Sequence, residues 1–307
     1  MSEFHSVDAE RRFGGLARLY GAESLRRFAG AHIAVAGLGG VGSWCAEALA
    51  RSGIGRLTLI DLDHISESNV NRQLHALTQT LGCSKVQAMR DRVAAINPDC
   101  VIHAVDDFVT PDNAGELLGS GLTLLIDCTD QISAKVAMIL ESARHGVPIV
   151  VCGGAGGKTR LQSLSSGDLS RAANDALLAK LRNTLRRRHG YPKASDQAGK
   201  VRRRVPRMGV RALWFDQKSL LPEEWLAAAR PAAEPGSGSG SGSESGSGSG
   251  SGSGSALAPG LSGEPARERL QGLSCAGYGS AVTITATMGM AAAAEAIDWL
   301  LAGRFPA

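Results

Sequence analysis

Three glycines, Gly37, Gly39 and Gly42, follow a short apolar segment in the order G-x-G-x-x-G. A residue without Cβ lets the backbone turn tightly and lets a phosphate approach closely. The helix expected to follow would direct its free N–H groups and its positive dipole end at that phosphate. The spacing therefore predicts a nucleotide-binding loop, which also includes Gly40 and Ser43.

Charged and polar residues follow the next apolar run, Arg56–Ile60. Asp61 lies about 20 residues beyond the glycines, where a ribose-binding acid is expected. An arginine and a lysine near a glycine-rich loop suit a triphosphate, whose charge must be neutralised, whereas a nicotinamide enzyme has no clear need for them. The candidate nucleotide contacts in this region are Asp61, Asp63, Asn69, Arg72, Gln73 and Lys85.

A second apolar run, Leu124–Ile126, ends in two carboxylates three residues apart, Asp127 and Asp130. Hard oxygen ligands at the carboxyl end of a strand suit Mg²⁺ that is bound together with substrate phosphates. We take Asp130 as the metal ligand. Asp127 either shapes the same site or caps the helix that follows.

These motifs, at residues 37–43, 61–73, 82–85 and 127–130, resemble the adenylating superfamily of ubiquitin-activating enzymes and their bacterial relatives. The resemblance implies ATP and Mg²⁺ as cofactors, with Na⁺ or K⁺ as a further plausible ion. In this family an arginine of one subunit extends into the active site of the neighbouring subunit, which implies a homodimer. Arg18 is similar to that arginine, and Arg12 is the alternative candidate for the role. The resemblance also implies that Asp61 contacts the ribose and that Asp130 binds Mg²⁺. The residues that it implies as phosphate contacts are Gly39, Gly40, Asn69, Arg72 and Lys85.

Cysteine spacing separates two branches of this superfamily. Activators of small sulfur-carrier proteins usually hold a zinc ion with two C-x-x-C pairs, and the six cysteines here form no such pair. Segments 12–21, 105–113, 152–158, 168–182 and 275–281 instead resemble the transfer-RNA threonylcarbamoyladenosine dehydratases. That branch implies activation of a threonyl carboxylate by ATP, followed by cyclisation with loss of water. Adenylation of a ubiquitin-like sulfur carrier is the alternative, and a nicotinamide-binding oxidoreductase or a binding module is a third reading.

Cys275 lies in the last of these segments. It is either a structural residue among small neighbours or a reactive thiol that accepts sulfur from a partner such as a cysteine desulfurase. We include it among the candidate catalytic residues, with Arg18, Arg72, Lys85 and Asp130. The cyclisation itself requires no thiol.

Positive charge is concentrated in one segment, although the formal net charge of the 307 residues is only +4. Between Arg186 and Arg211 there are ten Lys or Arg residues and one acid, Asp196. Such a run is either a solvated loop or a contact for the RNA backbone, whose affinity would fall steeply with salt. Tyr191 and Trp214 are the aromatic residues nearby, so the pattern favours phosphate binding over base stacking.

Alternating apolar runs and helical patterns predict an α/β fold, a Rossmann-like, mostly parallel sheet flanked by helices, with a C-terminal extension completing the domain. We expect a helical segment at 1–30, the ATP-binding domain at 31–160, a basic segment at 161–232, a flexible Gly/Ser-rich linker at 233–262 and a C-terminal unit at 263–307. The apolar stretch 281–301 predicts a strand or turn and then a core helix, because Glu295 and Asp298 lie within it. We expect a cytoplasmic protein, with peripheral membrane contact through this stretch as the alternative.

Overall fold

The computed structural model describes residues 8–119, 121–196, 200, 202–203, 205–220 and 278–306. Within these residues seven strands form one sheet in the order β3-β2-β1-β4-β5-β7-β6, and every pair is parallel except β6 with β7. The strands are β1 His32–Ala36, β2 Arg56–Ile60, β3 Val101–Val105, β4 Leu124–Asp127, β5 Ile149–Cys152, β6 Leu164–Asp168 and β7 Arg211–Phe215.

Helices cover both faces of the sheet, so the expected α/β fold with a mostly parallel sheet is confirmed. Residues of α2, α3, α4 and α8 pack in one apolar core, and residues of α5, α6 and α7 pack in the other. The helices are α1 Ala9–Tyr20, α2 Glu23–Gly30, α3 Gly42–Arg51, α4 Lys85–Ile96, α5 Ala114–Leu117, α6 Ile132–His145, α7 Ala176–Arg188 and α8 Val282–Ala302.

The two-sided burial explains why the central strands read as continuous apolar runs. In β1, Ile33 and Val35 enter the first core, whereas Ala34 and Ala36 enter the second. Successive side chains of a strand point to opposite faces, so a strand covered on both sides needs no polar alternation. This arrangement leaves polar residues to collect where the strands end.

Two local elements differ from what the sequence indicates. β6 was not predicted, because Ser165, Ser166 and Gly167 carry little strand preference, and pairing with β7 supplies what they lack. The sequence pattern predicts a helical stretch over residues 168–189, but the helix begins only at Ala176, after Asp175 accepts the N–H of Leu178 as an N-cap.

The C-terminal stretch also differs in detail from the expectation. Residue 282 already begins α8, so the threonines lie within a helix rather than in a strand or turn. Ile284, Met288 and Ala292 of this helix are fully buried, as expected of a core helix. None of the described helices combines the length and apolar character needed to cross a bilayer. Cys275 and the Gly/Ser run at 236–255 lie outside the described residues.

A buried ion pair joins α8 to the sheet. Arg211 in β7 donates from Nε to Oε2 of Glu295 at 2.9 Å and from Nη2 to Oε1 at 2.8 Å. Its Nη1 donates to the Pro306 carbonyl at 2.7 Å. Arg211 is 6% exposed. It is therefore unavailable to RNA, and including it in the basic run was wrong.

Replacing Arg211 by Met should destabilise the fold strongly, because it leaves the Glu295 carboxylate buried without its partner. We expect the free energy of unfolding to fall by about 3–5 kcal/mol. Adding Glu295→Leu should restore most of the loss, since the unpaired charge is then gone. Urea unfolding of both variants measures this, and an equal loss in the single and double variants would contradict the account.

Candidate active site

A cavity of ≈ 320 Å³ opens at the carboxyl ends of the central strands. The chain leaves β1 for β2 on one side and later returns to β4 on the other. In open parallel sheets the loops diverge at such a reversal and leave a crevice between them, where ligands bind. The cavity therefore lies where the topology of the fold places a site.

The glycine loop forms one wall of the cavity, and each glycine there meets a different constraint. Gly37 has φ +84°, and a Cβ on it would lie 3.0 Å from the backbone of Cys128. A Cβ on Gly42 would lie 1.8 Å from the Gly37 carbonyl oxygen, and one on Gly40 would lie 3.0 Å from Cγ2 of Thr285. Gly39 has no atom within 4 Å of that position, so it faces open space. The loop thus offers bare backbone to a ligand.

Gly42 and Ser43, both expected as nucleotide contacts, are absent from the cavity wall. Ser43 is fully buried, donates from Oγ to the Gly39 carbonyl at 2.7 Å and accepts the N–H of Leu74 at 3.2 Å. These two residues shape the loop. Gly37, Gly39 and Gly40 line the cavity itself.

Asp61, Asp63 and Lys85 form a charged group beside the glycine loop, which Asp61 contacts through the N–H of Leu38. Nζ of Lys85 lies 2.6 Å from Oδ2 of Asp63 and 3.6 Å from Oδ1 of Asp61. Asp61 also accepts the N–H groups of Leu38 at 2.6 Å and of Asp63 at 2.9 Å. Burial raises the pKa of Asp61, while Lys85 and the two N–H groups act against this rise. The buried ammonium is thus held at the cavity by two carboxylates.

The loop between β2 and α4 supplies the other expected polar contacts. Nη1 of Arg72 donates to the Ser68 carbonyl at 2.7 Å and to Oδ1 of Asn71 at 2.9 Å, both neutral acceptors. Asn69, Arg72 and Gln73 all line the cavity. Oε1 of Gln73 is buried and has no hydrogen-bond partner among the described residues. A buried acceptor of this kind calls for a donor from a ligand or water.

The two carboxylates at the end of β4 lie in different environments. Asp130 is exposed and lines the cavity, as a metal ligand must. Asp127 is fully buried, pairs with Lys135 and is absent from the cavity wall. It does not cap α6, whose N-cap is Gln131. Asp127 therefore holds the structure behind the wall, and a direct nucleotide contact by Asp127, as a cofactor-binding residue would make, is not supported by the cavity lining.

Several residues of the cavity wall were not predicted from the sequence. Phe108 and Val109, just after β3, lie with Ile60 and Ala134 and make part of the cavity apolar. Their position after a strand end was the available signal. Ser280 and Thr285 come from the far end of the chain, and no local pattern could place them here. The other lining residues outside the set of candidates are Val41, His64, Ser66, Asp107, Cys128, Thr129, Gln131, Gly153, Ala155 and Leu177.

Arg12 and Arg18 lie on α1, and neither lines the cavity of its own chain. Nη1 of Arg12 donates to the Ile96 carbonyl at 2.7 Å, which holds it against α4. Arg18 is exposed. Its reach into a neighbouring subunit remains a prediction.

Comparison with known proteins identifies the family, because the model of the ThiF family matches residues 13–304. The chain belongs to the ThiF family. This ThiF-family chain is 48% identical over 185 residues to the Escherichia coli tRNA threonylcarbamoyladenosine dehydratase, covering 60% of this chain and 69% of that protein. It is 46% identical over 182 residues to the Haemophilus influenzae enzyme of the same name, covering 59% and 70%.

Solved structures extend the likeness to the whole fold of this ThiF-family chain. The crystal structure of E. coli tRNA N6-threonylcarbamoyladenosine dehydratase, TcdA, in complex with ATP matches with a TM-score of 0.73 and 34% identity over 97% of each chain. The complex of TcdA with AMP matches with a TM-score of 0.73, over 97% of this chain and 99% of that one. The likeness thus spans the glycine loop, the β4 turn and α8.

The burial of His75 predicts that the stability of the fold depends on pH. Its Nε2 lies 3.0 Å from the Leu38 carbonyl, and burial lowers its pKa from 6.5 to about 4. The unfolded chain therefore binds the proton more readily, and the free energy of unfolding should rise by at most about 3 kcal/mol between pH 4 and 6.5. His75→Gln should flatten this rise while keeping a donor for Leu38. Urea unfolding at several pH values measures it, and an unchanged slope would contradict the assignment.

Proposed function

We propose that this chain dehydrates threonylcarbamoyladenosine beside the anticodon of tRNA, using ATP to adenylate the threonyl carboxylate. The observation that carries this proposal is the match to TcdA over 97% of this chain, in complexes with ATP and with AMP. The cavity adds the chemical reason, because it joins bare loop backbone, two cations and an exposed carboxylate. Sulfur-carrier adenylation has less support: the Salmonella molybdopterin-synthase adenylyltransferase matches over only 39% of this chain.

Adenylation is needed before cyclisation because a carboxylate is a poor electrophile. Its oxygen attacks the α-phosphorus of ATP, the new O–P bond forms, and the bond to pyrophosphate breaks. In the resulting acyl adenylate, AMP is a good leaving group. A nitrogen or oxygen of the urea-type group then attacks the activated carbonyl and expels AMP. Because this second step is intramolecular, positioning supplies much of its acceleration.

The residues of the cavity wall fall into two groups, one for the adenosine end of ATP and one for its phosphates. Phe108 and Val109 suit the adenine ring, and Asp61 accepts hydrogen bonds from the ribose. Lys85 and Arg72 cancel the repulsion between the phosphates and the incoming carboxylate. Gly39 lets the phosphates approach the loop, and the amino end of α3 adds its dipole.

The donor set fits Mg²⁺ bound through ATP. The described residues contain no group of three or more His, Cys, Asp or Glu side chains that could hold a metal by themselves. Mg²⁺ usually takes one or two carboxylates and completes its shell with phosphate oxygens and water. Asp130 is the carboxylate available for this at the cavity. When bound, the ion would neutralise charge on the phosphates. Binding of Na⁺ or K⁺ stays a prediction.

The tRNA would extend from the cavity onto the basic residues. Leu177 lines the cavity, and Arg187 lies ten residues further along α7, a span of about 15 Å. Arg187, Arg202 and Arg203 are exposed. Trp214 is buried and Tyr191 is half-buried, so stacking on Trp214 is excluded and the exposed arginines favour phosphate contacts.

Assembly and location are proposed on the family resemblance alone. A homodimer would bring Arg18 to the partner's cavity, and a sulfur-donating partner would meet Cys275. We expect the chain in the cytoplasm, where its tRNA substrate is found. Sedimentation of the purified chain tests the dimer.

Asp130→Asn should keep the fold and lose about a hundredfold or more in turnover, because the metal site loses its charged oxygen. Asp106→Asn is the matched control, since Asp106 is exposed nearby but lies outside the cavity wall. Wild-type turnover by Asp130→Asn over a magnesium titration would show that the metal assignment is wrong.

Replacing Arg202 and Arg203 together by Ala should weaken tRNA binding and reduce its salt dependence by about one unit of slope for each lost phosphate contact. The matched control replaces Arg26 and Arg90 together by Ala, because both are exposed, on α2 and α4. Filter binding at several salt concentrations measures both pairs. If the two double variants bind tRNA with equal affinity at low salt, Arg202 and Arg203 are not part of the tRNA interface.

The function itself is tested by incubating the chain with ATP, Mg²⁺ and tRNA that contains threonylcarbamoyladenosine. Mass spectrometry of the nucleosides should show the loss of one water from the modified adenosine, dependent on ATP. A matched reaction with a ubiquitin-like sulfur carrier tests the alternative. Adenylation of the carrier without change in the nucleoside would overturn the proposal.

A further inference from the structure

Lys135 is a charged residue with no exposed surface, in the first turn of α6. Its Nζ lies 3.0 Å from Oδ2 of Asp127, which is equally buried, and it donates to the Cys152 carbonyl at 2.8 Å. Desolvating two charges is expensive, and apolar side chains of similar volume are often as stabilising as a buried ion pair. Stability alone therefore gives little reason for this pair, and its contacts indicate what it holds in place.

The second oxygen of Asp127 closes the turn that leads into the cavity. Oδ1 accepts the N–H of Thr129 at 3.0 Å and its hydroxyl at 2.7 Å. Lys135 occupies the other oxygen, so the carboxylate cannot rotate without losing a contact. The turn thus has its shape set from behind the wall.

Asp130 depends on that turn. Its exposed carboxylate makes no hydrogen bond or ion pair with the residues that the structure describes. Its position at the cavity is therefore determined by the backbone that Asp127 holds. Lys135 also fixes the end of β5 through the Cys152 carbonyl, and Gly153 and Ala155 of the adjoining wall follow directly. One ammonium group thus ties two strand ends that border the cavity.

We infer that Lys135 is a positioning residue of the adenylation site: by orienting Asp127 it places Asp130, and so sets the affinity for the divalent cation that accompanies ATP. The inference rests on the proposed function. Lys135 does not line the cavity, so it acts through Asp127 and the turn at Thr129.

The test is metal binding in Lys135→Met and in the double variant Asp127→Asn, Lys135→Met. Mn²⁺ serves as the probe, and electron paramagnetic resonance measures its binding in the presence of ATP. Loss of a group that orients a metal ligand typically weakens metal affinity about 10–100-fold, and we expect this in both variants. Affinity for ATP without metal should be unchanged, and the Mg²⁺ concentration that gives half-maximal turnover should rise in both variants.

The matched control is Glu47→Gln with Arg92→Met, which removes an ion pair of 2.6 Å between α3 and α4. Neither residue lines the cavity, so this variant should lose stability without losing Mn²⁺ affinity. A merely structural Lys135 would behave as the control does. Wild-type Mn²⁺ affinity in the folded Lys135 variants would overturn the inference, whereas a wild-type chain that fails to bind ATP would overturn the proposed function first.

Hydrogen exchange of the wild-type chain gives a second test, which does not require any variant to fold. The Thr129 amide should exchange as slowly as the amides of β4, because it donates to a buried carboxylate that is itself held by Lys135. Exchange as fast as that of an exposed loop would overturn the inference.

Discussion

The proposed reaction requires two anions to meet, a carboxylate and a triphosphate, and the cavity must supply positive charge that is still available when they arrive. Two cations lie at the cavity in different states. Arg72 is held by the Ser68 carbonyl and the Asn71 amide oxygen, both neutral, so its charge remains uncompensated. Lys85 lies between two carboxylates, which hold a buried ammonium at the cavity but offset its charge, so Arg72 supplies the available positive charge. Electrostatic interactions there are stronger than in water because the walls have a low dielectric constant.

The fold brings together segments that are far apart in sequence in order to build this charge distribution. β1 leads into the glycine loop, β2 leads into the loop of Arg72, and β4 leads into the turn of Asp130. Helix α8, from the end of the chain, closes the arrangement: a Cβ on its Gly289 would lie 2.4 Å from the Val41 carbonyl, so the helix approaches the start of α3 closely. The buried pair of Arg211 and Glu295 fastens α8 to the sheet at a distance from the cavity.

Much of the site was predictable because its signals are local. Glycine spacing, a carboxylate at a strand end and the polar run after it each reflect the backbone within a few residues, and Gly39, Asp61 and Asp130 all line the cavity. Their contacts with nucleotide and metal stay predictions. Thr285 was missed because its place in the wall depends on long-range packing, whereas Phe108 follows the end of β3 and had a local signal that was not used. Arg211 was misread for a related reason: charge patterning shows that an arginine is present, but not that a glutamate 84 residues away buries it.

The account is tested most directly by the fate of the carboxylate oxygen. A tRNA substrate whose threonyl carboxylate carries ¹⁸O is incubated with the chain, ATP and Mg²⁺, and the nucleotide products are analysed by mass spectrometry. Attack on the α-phosphorus predicts one ¹⁸O atom in AMP for each water lost from the nucleoside. Label in inorganic phosphate, or cyclised product with unlabelled AMP, would contradict activation by adenylation.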